Sequence, residues 1–382
     1  MMNNYFSKED TKVIKGITII LMMMHHLWAF PGRISGGELK YFFEILGQSS
    51  ISYLGMFSKI CVSIFFFLGR YGIYKSSQNR KFDLVKKIKN LYISYWKVFI
   101  IFIPIAFLFF SKQPLYCEVQ DICNKYETFS VDELLKNFFA LSSSYNGEWW
   151  FLKSYICAVI TYPFVEKIIK NFSISINIAL IIIGGLLVGN IFPLAGQISL
   201  LKGLNDNYLY STFFCQTSPY IMSFWMGIVV AKDDVLLKLK NSLKENNLLN
   251  PFFDIIFFVV IIYLRNTGTG SYLDIIYVPI IIVCSLDFIQ KMKIVKKIFM
   301  ELGKKSTNMW LIHTFFCYYF YKVVKIIVTP KYAVVCLGLL LLFSYVAALL
   351  VDFFWKIINT IVCKIMGNIK YYFCLEESKL HY

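Results

Sequence analysis

Charge is what this chain has least of. Asp, Glu, Lys and Arg make up 16% of its 382 residues, against 58% apolar and 18% aromatic side chains. That excludes a soluble domain of ordinary composition. Histidine is scarcer still, at four residues, and no HExxH, GxSxG, CxxC or P-loop pattern occurs. Metal-dependent, serine-hydrolase and nucleotide-hydrolysing chemistries therefore find no support in the motifs, and no metal is expected. There is no low-complexity tract, soluble appendage or internal repeat. The first apolar run lacks the small-residue cleavage site of a signal peptide and leads into further runs, so it reads as a retained span.

What is present is apolar sequence gathered into stretches long enough to cross a bilayer. The expected fold class is all-α, a polytopic integral membrane protein of about ten transmembrane helices. The spans fall near 13–30, 51–71, 91–110, 149–165, 174–192, 210–231, 252–264, 272–288, 307–328 and 332–358. They form one domain over residues 1–382, with a short tail from about 359. Pro104 is a candidate kink in the third span, and the seventh is the shortest.

The net charge of +16 is explained by where the cations lie. They crowd the connections, at Lys75, Arg80, Lys81, Lys86, Lys87 and Lys89, between Lys232 and Asn250, and between Lys291 and Lys305. Placing alternate connections inside puts every cation-rich one, and both termini, on the cytoplasmic side of the cell membrane. This is a topology signal with attraction to anionic membrane lipids, and nucleic acid is not an expected partner. Of ten cysteines, Cys61, Cys157, Cys215, Cys284, Cys317 and Cys336 lie in apolar runs and read as small hydrophobes. Cys117 and Cys123 share a polar loop: an extracytoplasmic loop allows a disulfide, a cytoplasmic one leaves free thiols.

The chain is organised around KGITIILMMMHH, Lys15 to His26. Ionisable groups inside an apolar span are expensive, and each marks a functional candidate. On a helix these two residues lie about 20° apart on one face and roughly 16 Å apart along the axis. With Lys15 at the cytoplasmic boundary, His26 sits near the middle of a ~30 Å hydrocarbon core. His25 points about 80° away. Each has a bland alternative: Lys15 as a snorkelling anchor, and the histidines, His313 included, as single interhelical hydrogen bonds. Arg70 follows FFFLG near the inner end of the second span, where it either snorkels or faces a cavity. The Arg80 to Lys89 cluster suits topology and would equally suit a phosphorylated ligand. Glu148, Trp149 and Trp150 open the fourth span as an aromatic belt or a lipid- or sugar-facing platform.

Five segments, in order, resemble the acyltransferase-3 family of membrane acyltransferases. KGITIILMMMHHLW resembles its first span, a basic residue followed after ten others by histidine, which Lys15 and His26 match. IFFFLGRYGIYKS is similar to its FFFLSGY segment, with Gly69 and Arg70 where the family has Ser-Gly. KKIKNLYISYW resembles the basic stretch before the third span, and the family's paired basic residues fall on Lys86 and Lys89. EWWFLKSY places Trp150 and Phe151 on a Trp-Phe-Leu motif, and LGKKSTNMWLIH resembles the late segment ending at His313.

The resemblance implies transfer of an acyl group, usually acetyl, from cytoplasmic acyl-CoA to a hydroxyl of a cell-surface polysaccharide or its lipid-linked precursor. On that reading acetyl-CoA is the donor, Arg80, Lys86 and Lys89 hold its phosphates, and Lys15 sits near the thioester or the phosphates. His26 is then the general base on the acceptor hydroxyl, with an acyl-histidine relay as a variant and His25 in support. Arg70, Glu148, Trp150 and His313 are further candidates. The alternative is a transporter or flippase for a glycan or lipid intermediate, with the same Lys and His lining a path.

Overall fold

The computed structural model describes residues 5–34, 39–78, 81–112, 125–195, 198, 203, 210–212 and 217–365. Among the described residues the fold is all-α apart from one small hairpin, β1 (Glu44–Ile45) paired antiparallel with β2 (Gln48–Ser49). The helices begin with α1 (Lys8–Trp28), α2 (Ser50–Ser58), α3 (Ile60–Ser77), α4 (Leu84–Phe109) and α5 (Val131–Phe138). They continue as α6 (Trp150–Ile160), α7 (Tyr162–Lys170), α8 (Ile174–Leu186), α9 (Ser218–Lys232) and α10 (Val235–Glu245). The last are α11 (Pro251–Leu264), α12 (Asp274–Gln290), α13 (Lys293–Thr314), α14 (Tyr321–Val328) and α15 (Ala333–Ile365).

Of the ten expected spans, four stand among the described residues as long apolar helices: Ser50–Ser77, Leu84–Phe109, Pro251–Gly268 and Ala333–Cys363. Pro104 lies inside an unbroken α4. The span expected over 307–328 is not straight: the helix that ends at Tyr319 and α14 meet at 86°. No Pro or Gly causes this bend. The helix widens by one residue over Phe315–Tyr319, the Phe320 N–H donates to the Phe315 carbonyl at 2.7 Å, and Phe320 leaves helical geometry. Its ring stacks on Phe110, centroids 4.1 Å apart, and lies parallel to Phe102, so aromatic packing holds the corner.

The chain divides into two compact units, the first comprising Met1–Ser7, Met56–Asn90 and Trp149–Lys296. Its centre is the packing of α3 against α9, where Gly227 lets the backbones approach; a Cβ there would stand 2.6 Å from the Phe67 carbonyl oxygen. A buried polar cluster ties α3 to α12. Asp274 accepts from Ser63 at 2.5 Å and from Arg265 Nε at 2.9 Å, and Arg265 Nη1 donates to the Phe57 carbonyl. Because the carboxylate and guanidinium are both multiply bonded, their burial is tolerated.

The second unit comprises Lys8–Gly55, Leu91–Glu148 and Lys297–Tyr382. Here α1 crosses α13 glycine against glycine: a Cβ on Gly16 would strike the Phe299 carbonyl, and one on Gly303 the Lys12 carbonyl. Small residues permit this approach in an apolar medium, where close packing drives association. Asp352 on α15 accepts from Lys305 and Asn308 on α13, each at 2.7 Å. Between α4 and α6 the chain is held by hydroxyls and ring N–H groups. Tyr95 donates to the Asn137 carbonyl at 2.7 Å, Trp96 to that of Phe138 at 2.8 Å, and Tyr126 to that of Tyr145 at 2.6 Å. Glu133 on α5 gathers donors from Ser142 at 2.7 Å, Asn137 at 3.0 Å and Ser144. This fixes the path of the backbone into Asn146–Glu148.

Two tests follow from these contacts. Gly16→Val or Gly303→Val should destabilise the protein by about 1–3 kcal/mol or more, because backbone rather than side chain must yield; thermal unfolding in detergent reads this, and an unchanged midpoint contradicts the close crossing. The hydrogen bonds from Ser144 and Ser142 lower the pKa of the Glu133 carboxyl. Its stabilisation is therefore present above the unfolded value of about 4.3 and is lost as pH falls through the lower folded value. Hydrogen exchange of residues 130–145 should accelerate below about pH 4.3 in the native protein. In Glu133→Gln that pH-dependent step should be absent.

Candidate active site

His25 and His26 lie in the last turn of α1 and His313 in the last turn of α13, all within the second unit and all buried. His25 Nδ1 is 2.9 Å from the Gly55 carbonyl oxygen, an acceptor, so that nitrogen carries the proton. This contact ties the end of α1 to α2, a supporting role.

His26 has partners on both sides. The Tyr318 hydroxyl donates to the His26 carbonyl at 2.6 Å, which caps one of the carbonyls that the end of α1 leaves without a helical partner. With its proton so used, the same oxygen accepts from His26 Nδ1 at 3.3 Å. Nε2 is 3.6 Å from Glu148 Oε2, and the other carboxylate oxygen is 3.9 Å from Arg33 Nη1. Nε2 thus faces a carboxylate, so the imidazole–carboxylate pair is suited to hold a proton.

Glu148 is positioned by its own backbone: its N–H donates to Asn146 Oδ1 at 3.2 Å. Asn146 exchanges two hydrogen bonds with the Thr314 hydroxyl, at 2.8 and 3.0 Å, and the Gly147 N–H donates to Tyr319 Oη at 3.1 Å. The next residue back from Thr314 is His313, whose Nδ1 donates to the Trp310 carbonyl at 2.7 Å. The His313 ring centroid is 5.0 Å from that of His26. Two buried imidazoles and two buried phenols therefore converge with a half-buried carboxylate, which a partly exposed guanidinium approaches from outside, a constellation suited to moving protons and stabilising developing charge.

Of the residues singled out from sequence, His25, His26, Glu148 and His313 come together here. Lys15 stands on the same unbroken α1, half-buried, three helical turns before His26. Arg70 and Trp150 belong to the first unit. Arg70 is fully buried with its guanidinium 3.0 Å from the Tyr162 ring centroid, and its nitrogens find no hydrogen-bond partner among the described residues. Trp150 is half-buried and its ring lies 5.8 Å from that of Tyr220. Lys86 and Lys89, also in the first unit, are exposed in the opening turns of α4, which Asp83 caps by accepting the Lys86 N–H at 2.9 Å. Arg80, His381, Cys117, Cys123 and Cys215 lie outside the described residues. Cys61, Cys284, Cys317 and Cys336 are buried and not disulfide-bonded.

Sequence reasoning missed Arg33, Asn146, Thr314, Tyr318 and Tyr319. The phenols sit in the run FFCYYFY, which reads as packing, and Arg33 follows Pro-Gly in a connection. A family model for an acyltransferase domain, Acyl_transf_3, matches residues 10–355 of the chain, a range that contains every residue of the site. No curated protein and no solved structure matches it.

Tyr318→Phe removes both hydrogen bonds to His26 while keeping the ring. It should lower stability by about 1–3 kcal/mol, the cost of leaving buried polar groups unpaired. Thermal unfolding checks this, and an unchanged midpoint would show that the phenol does not hold the end of α1.

Proposed function

The chain belongs to the acyltransferase-3 family and is a membrane acyltransferase, and on that premise we propose that it moves an acetyl group from cytoplasmic acetyl-CoA to a hydroxyl of a cell-surface polysaccharide or its lipid-linked precursor. The observation that carries this reading is the pairing of His26 with Tyr318 on one side and Glu148 on the other, in an apolar surrounding. An imidazole so held has a defined orientation and a carboxylate to stabilise its charge, which is what proton transfer at a hydroxyl requires. Low local dielectric strengthens these interactions.

His26 is the central proton-transfer residue. Lys15, a cation three turns away on the same helix, faces the donor, either at its thioester or nearer its phosphates. Lys86 and Lys89 at the N-terminal end of α4 hold the coenzyme A phosphates, together with Arg80. Support comes from chemistry: Lys86 and Lys89 are exposed in the opening turns of α4, so their side-chain charge adds to the positive end of the helix dipole, a setting that favours anions. The protein acts in the cell membrane with both termini cytoplasmic, where a basic inner face meets a polyanionic donor.

The test uses membranes carrying the full chain, incubated with labelled acetyl-CoA, and follows alkali-labile label in the polysaccharide and lipid fractions. The native protein should transfer label, and His26→Ala should lose at least 10²-fold while the protein still accumulates in the membrane. Retained transfer in His26→Ala would sink the mechanism. No transfer by the native protein, with transport of a glycan or lipid intermediate intact, would favour a flippase.

A further inference from the structure

His26 and His313 do not stand alike. Both have Nδ1 as a donor, His26 to Tyr318 and His313 to the Trp310 carbonyl. The difference lies at Nε2. That of His26 meets the Glu148 carboxylate at 3.6 Å. That of His313, on a fully buried side chain, has no hydrogen-bond partner among the described residues. Since a carbonyl can only accept, the proton of neutral His313 is fixed on Nδ1, and Nε2 presents a bare lone pair. A buried acceptor without a donor is rare in a native protein and calls for an explanation. Here it stands in ring contact with His26, at the centre of the site.

We propose that His313 is a second catalytic histidine: its Nε2 accepts the hydrogen bond of the acceptor hydroxyl and takes its proton, while the His26–Glu148 pair supplies the proton to the leaving thiolate. This rests on the acyl-transfer reading and divides between two residues what that reading gave to His26. The acceptor O–H bond breaks as its proton passes to His313 Nε2, and the oxygen forms a C–O bond to the thioester carbonyl carbon. As the C–S bond breaks, the sulfur takes the proton held by His26 and leaves as the thiol. The cycle closes when the proton on His313 returns to His26, whose ring is 5.0 Å away. One proton leaves oxygen, one reaches sulfur, and no oxidant or further reactant is needed.

Neighbouring contacts fit this division. Thr314, adjacent to His313, is bonded to Asn146, which in turn accepts from the backbone of Glu148. One chain of hydrogen bonds therefore sets the distance between base and acid. A merely packed histidine would account for the bond to Trp310 but not for an unpaired basic nitrogen on a ring in contact with a second imidazole.

Two experiments decide it. In the native full chain labelled with 15N-histidine, solid-state NMR should show an unprotonated Nε2, assigned to His313 by its loss in His313→Asn. A protonated Nε2 would overturn the assignment. The second experiment is acetyl transfer from labelled acetyl-CoA in membranes. His313→Asn keeps a donor for the Trp310 carbonyl but has no basic lone pair, and it should lose roughly 10²–10⁴-fold with the protein still inserted. His313→Ala should lose as much and recover at least tenfold with added imidazole. Activity of His313→Asn within fivefold of native would show a structural role and overturn the proposal, as would inactivity of both variants without imidazole rescue. A native protein that transfers nothing removes the acyl-transfer reading together with this one; a native protein that transfers while His313→Asn does too removes only this one.

Discussion

An imidazole in an apolar interior is stable only where its nitrogens find partners, and the second unit is arranged around that demand. His25 is satisfied by a backbone carbonyl, His26 by a phenol and a carboxylate, and His313 on one side by its own helix. Each partner comes from a different part of the chain. Supplying them requires that α1, α13 and the turn at Asn146–Glu148 be held in register, and the glycine crossing, the Phe320 corner and the Glu133 network hold them.

These holds differ in kind. Gly16 and Gly303 act by the absence of a side chain, which lets two backbones touch so that the helices carrying His26 and His313 run close. Phe320 acts by bulk: with its ring stacked on Phe110 the helix cannot continue straight, and the widened turn before it presents Tyr318 and Tyr319 to the site. Widened turns of this sort recur at functional sites, since they re-aim side chains that a regular helix would hide. Glu133 acts by polarity, gathering hydroxyls outside the apolar core.

Much of this was legible in the sequence, and the missing part has a common cause. The all-α class and the Lys15–His26 stripe followed from apolar runs and helical period, both local properties. Glu148 and His313 stood out because ionisable groups near or inside apolar runs are costly. Tyr318 and Arg33 did not, since their importance lies in contacts with residues far along the chain that no local pattern records. The bend at Phe320 was hidden for a similar reason. Nothing between Phe315 and Val328 is a breaker by type, and the break arises from the rings of Phe102 on α4 and Phe110 just after it. The count of long spans was obscured because several apolar segments fold as shorter helices, such as α6 and α7, which meet at Thr161 before Pro163.

The pair formed by Asn146 and Thr314 joins positions 168 residues apart. It welds the turn carrying Glu148 to the helix carrying His313, so the two behave as one mechanical piece. A chimera that exchanged the segment between α4 and α6 with that of a relative would therefore have to import the matching stretch of α13 as well. In this architecture the unit of inheritance is a pair of segments, and drift in either is answerable to the other.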